Sequence, residues 1–303
     1  MRYYFAPMEG LTDSIYRHLH HQYFGGADKY FTPFFSPTIH RSLTPKEERE
    51  LPPADSEAFT VVPQIMTKSS EDFLWAASVC RDRGYGEVNL NLGCPSGTVV
   101  AKGKGSGMLK DLDALDRFLE AVFRDAPLAV SVKTRLGLES SEEFPALLEI
   151  FNRYPISELT IHPRVRRQFY NGDVDMEMFA YAAEHSKNPL CYNGDILDLA
   201  QAREIHSRFS DVEAYMIGRG LLRNPGMLQG GTDNTALESF MNALLESYTA
   251  AFGSQKNAMF RLKENWSYLH TSFPGCDKQW KRLRKTTDIG EFRAITAEIF
   301  HRT

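Results

Sequence analysis

Eight short apolar runs, separated by segments of helical periodicity, constrain the fold of this chain more than any other feature. The runs have β-strand character and cover residues 3–6, 29–31, 61–65, 87–90, 129–133, 158–161, 190–192 and 214–217. Most of the segments between them carry apolar residues at helical spacing, as Phe73, Ala76, Ala77 and Cys80 do. Strands that alternate with helices over about 220 residues predict an α/β fold, a (β/α)8 TIM barrel.

The β-like runs stop near residue 226, and the rest of the chain is predicted to form a small all-α C-terminal domain. Apolar stripes at helical spacing lie within residues 237–248, 259–269 and 292–300. We therefore predict a barrel domain at residues 1–232 and a helical domain at residues 235–303. Residues 254–303 contain ten Lys and Arg against five Asp and Glu, which indicates either a contact with a polyanion or a solvated helical face.

Composition and cysteine spacing exclude several classes of protein. No apolar stretch approaches the ~18 residues that a membrane span needs, and the first residues lack the pattern of a signal peptide. The four cysteines are far apart and form no C-x-x-C pair, which argues against a zinc site or a disulfide framework. His18, His20 and His21 crowd one short helix and are predicted to be a surface cluster rather than a metal site. We expect a cytoplasmic protein without a metal.

Polar and glycine residues follow almost every predicted strand. In a barrel of this kind the carboxyl ends of the strands form one rim, where functional side chains lie. The residues at these ends, in chain order, are Pro7 and Met8, Gln64, Asn91 and Cys94, Lys133 and Arg135, His162 and Arg164, Asn193, Gly194 and Asp195, and finally Gly218 and Arg219. Any one of them fits a surface loop, but the whole set on one rim predicts a functional site.

The sequence Asn91-Leu92-Gly93-Cys94-Pro95 places a thiol on a glycine–proline turn after the fourth strand. Gly93 relaxes the backbone, Pro95 restricts it, and Asn91 supplies an amide that can orient a ligand. A buried structural cysteine is the alternative for such a turn. The other residues of the rim favour a functional thiol.

The rim is suited to a phosphorylated planar cofactor. Loops after the last two strands of such barrels commonly bind phosphate, and here both contain glycine, with Arg219 as an added charge. Lys133 can place a cation beside an electron-rich ring, while Gln64, Asn91 and His162 can bind its polar edge. Flavin mononucleotide (FMN) fits this inventory. No G-x-G-x-x-G motif follows a strand, which argues against a Rossmann-type nucleotide site.

The chain resembles the tRNA-dihydrouridine synthases of bacteria over residues 3 to 226. The resemblance rests on six motifs in the order of that family: APMEGLTD at 6–13, NLNLGCP at 89–95, VKTRLG at 132–137, HPR at 162–164, NGDI at 193–196 and MIGRG at 216–220. The helical tail also resembles the tRNA-binding domain of that family, with less distinctive motifs. The family has glycine where this chain has Pro163, so the loop that carries Arg164 is expected to differ.

The resemblance implies an FMN-dependent enzyme in which NADPH reduces the flavin and the flavin reduces a uridine of the tRNA D-loop. Cys94 matches the general acid that protonates carbon 5 of the base, a step suited to a thiol because thiols are mostly protonated at neutral pH. The resemblance implies that FMN is bound by residues at the strand ends: Pro7, Met8, Gln64, Lys133, His162, Asn193, Gly194, Asp195, Gly218 and Arg219. Asn91 would orient the uracil, with Arg135 and Arg164 near the substrate.

Further contacts with tRNA are predicted from charge. Arg164, Arg166 and Arg167 form a basic group at the rim that is predicted to contact phosphates. On the tail this group is predicted to extend to Lys278, Lys281, Arg282, Arg284 and Lys285, and Lys263 is another candidate there. We expect a monomer without an obligate protein partner. Two other functions remain open at this stage: a flavin oxidoreductase for free pyrimidines, and a tRNA-binding folding factor with an inactive barrel. The basic tail argues against the first, and the intact Cys94 and Lys133 argue against the second.

Overall fold

A computed structural model describes residues 1–301 of the chain. Its nine parallel strands form a single sheet in the order β3-β2-β1-β9-β8-β7-β6-β5-β4. The strands are β1 Arg2–Phe5, β2 Lys29–Phe31, β3 Val61–Val62, β4 Gln64–Ile65, β5 Glu87–Leu92, β6 Ala129–Arg135, β7 Leu159–His162, β8 Leu190–Tyr192 and β9 Ala214–Ile217. This arrangement confirms the predicted barrel.

The barrel closes at Pro63. The sequence predicts one strand at residues 61–65, whereas the structure divides it into β3, which pairs with β2, and β4, which pairs with β5. Proline has no backbone N–H for a strand ladder, so the pairing changes partner at this residue. The Pro63 carbonyl still accepts a hydrogen bond from the Asn89 N–H at 2.8 Å. The two edge strands of the sheet, β3 and β4, are therefore the two halves of one segment that bends at Pro63.

Thirteen helices of the described chain connect or follow the strands. They are α1 Ser14–Tyr23, α2 Pro45–Glu50, α3 Ser70–Asp82, α4 Gly97–Val100, α5 Leu112–Asp125, α6 Phe144–Phe151, α7 Met176–His185, α8 Leu199–Arg208, α9 Arg219–Arg223, α10 Asn234–Phe252, α11 Gln255–Leu269, α12 Asp277–Lys285 and α13 Ile289–Phe300. Ser69, Asp111 and Asp175 cap α3, α5 and α7 by accepting a backbone N–H, which fixes where each helix begins after its strand. No helix among residues 1–301 is long and apolar enough to cross a membrane.

Contacts divide the chain into two compact units. The barrel unit contains Met1–Pro7, Asp28–Asp195 and Ala202–Ile217, and therefore all nine strands. Its core includes a buried apolar cluster formed by residues of five strands and by Ala6, which follows β1: Tyr4, Ala6, Phe31, Val62, Cys191, Ala214 and Met216. Cys191 is fully buried in this core.

The helical unit contains Met8–Ala27, Ile196–Gln201 and the chain from Gly218 onward. The predicted stripe of α10 is buried, from Leu237 to Tyr248, as is Trp266 of α11. Asp13 ties the early segment to these helices, because its carboxylate accepts hydrogen bonds from Tyr248 at 2.9 Å and from Arg261. The domain boundary near residue 233 stays a prediction.

The histidine cluster of α1 is only partly at the surface, so the prediction for His20 is wrong. His20 is fully buried, and its Nε2 lies 3.0 Å from the Pro225 carbonyl oxygen. Burial lowers the pKa of His20 to about 3, so the ring is neutral and donates this hydrogen bond. Phe240 of α10 packs against Tyr16 and Phe24, the ring neighbours of His20, and the local sequence alone does not show this cover.

Candidate active site

The Cys94 turn is built by the side chain of Asn91. Strand β5 runs to Leu92, two residues farther than predicted, and the chain then turns. The Asn91 Oδ1 accepts hydrogen bonds from the backbone N–H of Gly93 at 3.0 Å and of Cys94 at 2.9 Å. The Ser106 hydroxyl holds the Cys94 carbonyl oxygen at 2.8 Å. The half-buried Cys94 thus stands on a turn that is fixed from both sides.

A chain of buried amides continues from this turn across the sheet. The Asn91 Nδ2 donates to the Gln64 Oε1 at 2.8 Å, the Gln64 Nε2 donates to the Asn89 Oδ1 at 2.8 Å, and the Asn89 Nδ2 donates to the Ser131 hydroxyl oxygen at 3.0 Å. The N–H groups of the Cys94 turn can only donate, so they fix the direction of every amide in the chain. We call Asn91, Gln64, Asn89 and Ser131 the amide chain. Its direction leaves N–H groups of Asn91 and Gln64 to serve a ligand.

Lys133 lies beside the amide chain. It pairs with Asn91 in the register of β5 and β6, and neighbours on adjacent strands share one face of the sheet. Among the described residues its ammonium makes no hydrogen bond or ion pair. Burial and the neighbouring Arg135 cation lower the pKa of Lys133 to about 7. A partly buried cation without a counter-ion is the group of this barrel that is best prepared for a ligand.

Arg135 is fully buried and bound to backbone carbonyls. Its Nε donates to the Gly93 oxygen at 2.9 Å, its Nη1 to Val165 at 3.1 Å and its Nη2 to Phe169 at 2.7 Å. One guanidinium therefore joins the Cys94 turn to the loop after β7. In this arrangement Arg135 organises the rim, and its predicted contact with the substrate stays a prediction.

Arg164 is likewise internal, with 1 % of its surface exposed. Its guanidinium binds both oxygens of Asp195, at 3.1 and 2.5 Å, and the Gly172 carbonyl. Its Nη1 also lies 3.2 Å from the His162 Nε2. Because arginine only donates, the His162 Nε2 accepts, and the ring is neutral with its proton on Nδ1. The ion pair with Asp195 links the ends of β7 and β8 and compensates the buried charge of Arg164.

The loop after β7 brings cationic and aromatic side chains to the surface. Arg166 is half-buried, and its Nε donates to the Pro95 carbonyl at 3.3 Å, next to Cys94. Arg167 is exposed. Phe169 and Tyr170 are exposed by 41 % and 46 % and were missed by the sequence analysis. The signal that could have shown them is an aromatic pair directly after a double arginine at a strand end.

Close packing requires glycine at position 194, after the end of β8. Asn193 is buried and donates through Nδ2 to the Met216 carbonyl at 2.7 Å. A Cβ atom on Gly194 would lie 2.0 Å from the Tyr192 hydroxyl, so no larger residue fits beside that ring. This contact explains Gly194 without a ligand, and its predicted part in phosphate binding stays a prediction.

Four of the predicted site residues belong to the helical unit. The Met8 N–H donates to the Thr12 hydroxyl at 2.9 Å, and Gly218 stands at the start of the short helix α9, which Arg219 begins. Lys263 is buried, and its ammonium binds the Thr286 carbonyl oxygen after α12. Burial lowers the pKa of Lys263. Its charge thus serves the helical unit, and its contact with tRNA stays a prediction.

The fold is a (β/α)8 barrel with polar side chains at the carboxyl ends of its strands, where enzymes of this fold carry their active sites. Solved structures share this fold. Morphinone reductase in complex with tetrahydroNAD superposes with a TM-score of 0.55 at 12% identity, over 75% of this chain and 85% of that one. A variant of NCR from Zymomonas mobilis gives a TM-score of 0.50 at 14% identity, with the same coverage.

The family model described as Dihydrouridine synthase (Dus) matches residues 4–297, and the chain belongs to this family of oxidoreductases. Relatives called probable tRNA-dihydrouridine synthase agree. The protein of Rhizobium leguminosarum bv. phaseoli is 31% identical over 75% of this chain and 72% of its own length. The protein of Rickettsia bellii is 29% identical over 81% and 77%, and that of Staphylococcus aureus strain MRSA252 is 27% identical over 97% and 91%.

Proposed function

We propose that this protein is an FMN-dependent tRNA-dihydrouridine synthase, which uses NADPH to reduce the 5,6-double bond of uridines in the tRNA D-loop. One observation carries the proposal. A half-buried thiol on a fixed turn, Cys94, stands at the same rim as the unpaired cation of Lys133, in a chain of the dihydrouridine synthase family. A proton donor and a site for an electron-rich ring are what the reduction of a carbon–carbon double bond requires.

The residues of the barrel unit fit a flavin. Among the described residues Lys133 has no hydrogen-bond or ion-pair partner, and the amide chain leaves an N–H donor on Gln64 for the oxygen and nitrogen acceptors of such a ring. Neutral His162 and buried Asn193 add polar groups at the next strand ends. When bound, FMN supplies hydride transfer. The assignment of Pro7, Met8, Gly194, Asp195, Gly218 and Arg219 to the same cofactor rests on the sequence motifs.

Cys94 is proposed as the general acid. Asn91 and Ser106 hold the backbone on both sides of it, so its thiol has a defined place at the rim. In the proposed reaction Sγ–H gives its proton to carbon 5 of the uracil as carbon 6 gains hydride. Asn91 keeps one amide N–H for the base. The turn therefore combines orientation of the base with delivery of the proton.

The RNA substrate is proposed to bind across the rim with the reacting uridine turned out of its stack, since the base cannot be reached inside a folded tRNA. Arg166 and Arg167 are proposed to contact phosphates. The choice of NADPH over NADH and the D-loop as target follow from the family resemblance. A monomeric state is the default for such a site, and a cytoplasmic location is proposed from the spacing of the cysteines.

Absorbance spectroscopy tests this function. The purified protein, incubated with FMN if necessary, should show a flavin spectrum that NADPH bleaches without oxygen. Unmodified bulk tRNA should then reoxidise the flavin, whereas free uracil and orotate should not. Reoxidation by the free bases would instead identify a pyrimidine oxidoreductase. A protein that takes up no flavin would leave only a role in tRNA binding.

A further inference from the structure

The backbone at Phe169 is strained although its side chain faces solvent. Phe169 has φ 51° and ψ −98°, and it is one of two non-glycine residues among the described chain with positive φ. A bulky residue in this region is a true outlier, whereas glycine adopts it without steric cost. The chain therefore carries a ring at a position where glycine would relieve the backbone. Such strain persists only where the surrounding structure holds it, and it is concentrated at active sites and ligand-binding sites.

Two arginines hold this strained residue in place. The buried Arg135 binds the Phe169 carbonyl oxygen at 2.7 Å, and the Phe169 N–H donates to the Arg166 carbonyl at 3.1 Å. The Arg166 guanidinium lies 5.6 Å from the centre of the Phe169 ring. The ring, exposed by 41 %, is thus held on a fixed backbone with a cation over one of its faces.

The same arginines connect Phe169 to the reactive turn. Arg135 binds the Gly93 carbonyl with its Nε, and Arg166 binds the Pro95 carbonyl with its Nε. Gly93 and Pro95 are the two neighbours of Cys94. The exposed ring is therefore coupled to both sides of the proposed proton donor through two side chains.

Tyr170 differs from its neighbour. Its ring stacks on His162 at 6.1 Å and lies under the Arg135 guanidinium, so part of it has partners inside the rim. The Phe169 ring instead has the half-buried Arg166 guanidinium over it. An exposed aromatic ring beside cationic side chains is the arrangement with which proteins bind the bases of unpaired RNA.

We propose that Phe169 is a stacking surface for a nucleobase of the RNA substrate, a base that flanks the uridine reduced at Cys94. This inference rests on the proposed function. The flat face of the ring takes any base, and Arg166 supplies positive charge for the adjoining backbone. Because Arg135 and Arg166 fix the ring relative to the Cys94 turn, a base stacked on Phe169 holds the next nucleotide at the rim.

Three substitutions test the stacking surface. Phe169→Gly removes the ring and the strain, Phe169→Leu keeps an apolar side chain without a ring, and Phe169→Trp keeps a ring. Affinity for unmodified bulk tRNA would be measured by filter binding over a salt series, and stability by urea unfolding of the same proteins. We expect Phe169→Gly and Phe169→Leu to weaken binding roughly 5- to 100-fold, and Phe169→Trp to bind as the unchanged protein does.

Two further readouts separate stacking from other roles. Stacking involves no charge, so Phe169→Gly should leave the slope of log affinity against log salt concentration unchanged. Arg166→Gln removes a charge and should lower that slope. Urea unfolding of Phe169→Gly should require at least as much denaturant as before, because the strain is relieved. Unchanged affinity of Phe169→Gly, or a loss of its stability, would overturn the stacking surface alone. If the protein without any substitution does not bind tRNA, the proposed function and the stacking surface are refuted together.

Discussion

Replacement of Lys133 by methionine is expected to stabilise the flavin-free protein. The ammonium of Lys133 lies partly buried with no counter-ion among residues 1–301, and burial together with Arg135 lowers its pKa from 10.5 to about 7. Methionine has a similar length and no charge, so Lys133→Met removes this unfavourable charge and keeps the volume of the side chain. The stabilisation should be seen without FMN, since the cofactor itself would compensate the cation.

The size and the pH dependence of this effect follow from the pKa. A shift of this size corresponds to a cost of at most about 4 kcal/mol at pH 7, at about 1.4 kcal/mol for each pH unit. Because the side chain still reaches water, we expect a measured gain of about 2 kcal/mol. The pKa is lower in the folded state than in the unfolded one, so the unfolded state binds more protons between pH 7 and 10. The stability of the unchanged protein should therefore rise through that range.

Urea unfolding at several pH values provides the assay. Lys133→Met should unfold at higher urea than the unchanged protein at pH 7, and the difference should disappear as the pH approaches 10. Lys187→Met, at an exposed lysine of the same unit, is the matched control and should change little. Equal stability of Lys133→Met at pH 7, or a difference that does not shrink with pH, would refute the account of a buried unpaired charge. Lys133→Met should also bind FMN more weakly, as flavin fluorescence would report.

Three further predictions follow from the site. Asn89→Leu interrupts the amide chain and should speed hydrogen exchange at the Gly93 and Cys94 amides by about tenfold. Asn89→Asp still accepts the hydrogen bond from Gln64 and should leave the exchange rate unchanged. Equal exchange rates in the two variants would show that the amide chain does not hold the Cys94 turn. Cys94→Ala should keep its flavin spectrum and its reduction by NADPH but lose at least ~100-fold in the rate of tRNA reduction. Full tRNA reduction by this variant would exclude Cys94 as the acid. Replacement of Arg166 and Arg167 by glutamine should lower the slope of log affinity against log salt for tRNA by about two; an unchanged slope would show that they make no phosphate contacts.

Much of the fold was predictable because its signals are local. Alternating strands and helices predicted the barrel, and polar residues after almost every strand predicted where its candidate site lies. The Asn-x-Gly-Cys-Pro turn predicted where the thiol stands, and the structure adds that Asn91 itself builds that turn. The division of one predicted strand also has a local cause, the missing N–H of Pro63, although only the sheet shows that both halves pair.

The partners of the charged side chains were not predictable in this way. Arg135 and Arg164 read as residues of the open rim, yet tertiary contacts with carbonyls and with Asp195 bury them. His20 was expected at the surface, but a distant helix covers it. Whether a polar group faces water or a partner depends on residues far away in the sequence, so periodicity carries no information about it. The sequence by itself determined the barrel, the thiol turn and the family; the tertiary structure decided which cations are structural, that Lys133 is unpaired, and that Phe169 is exposed.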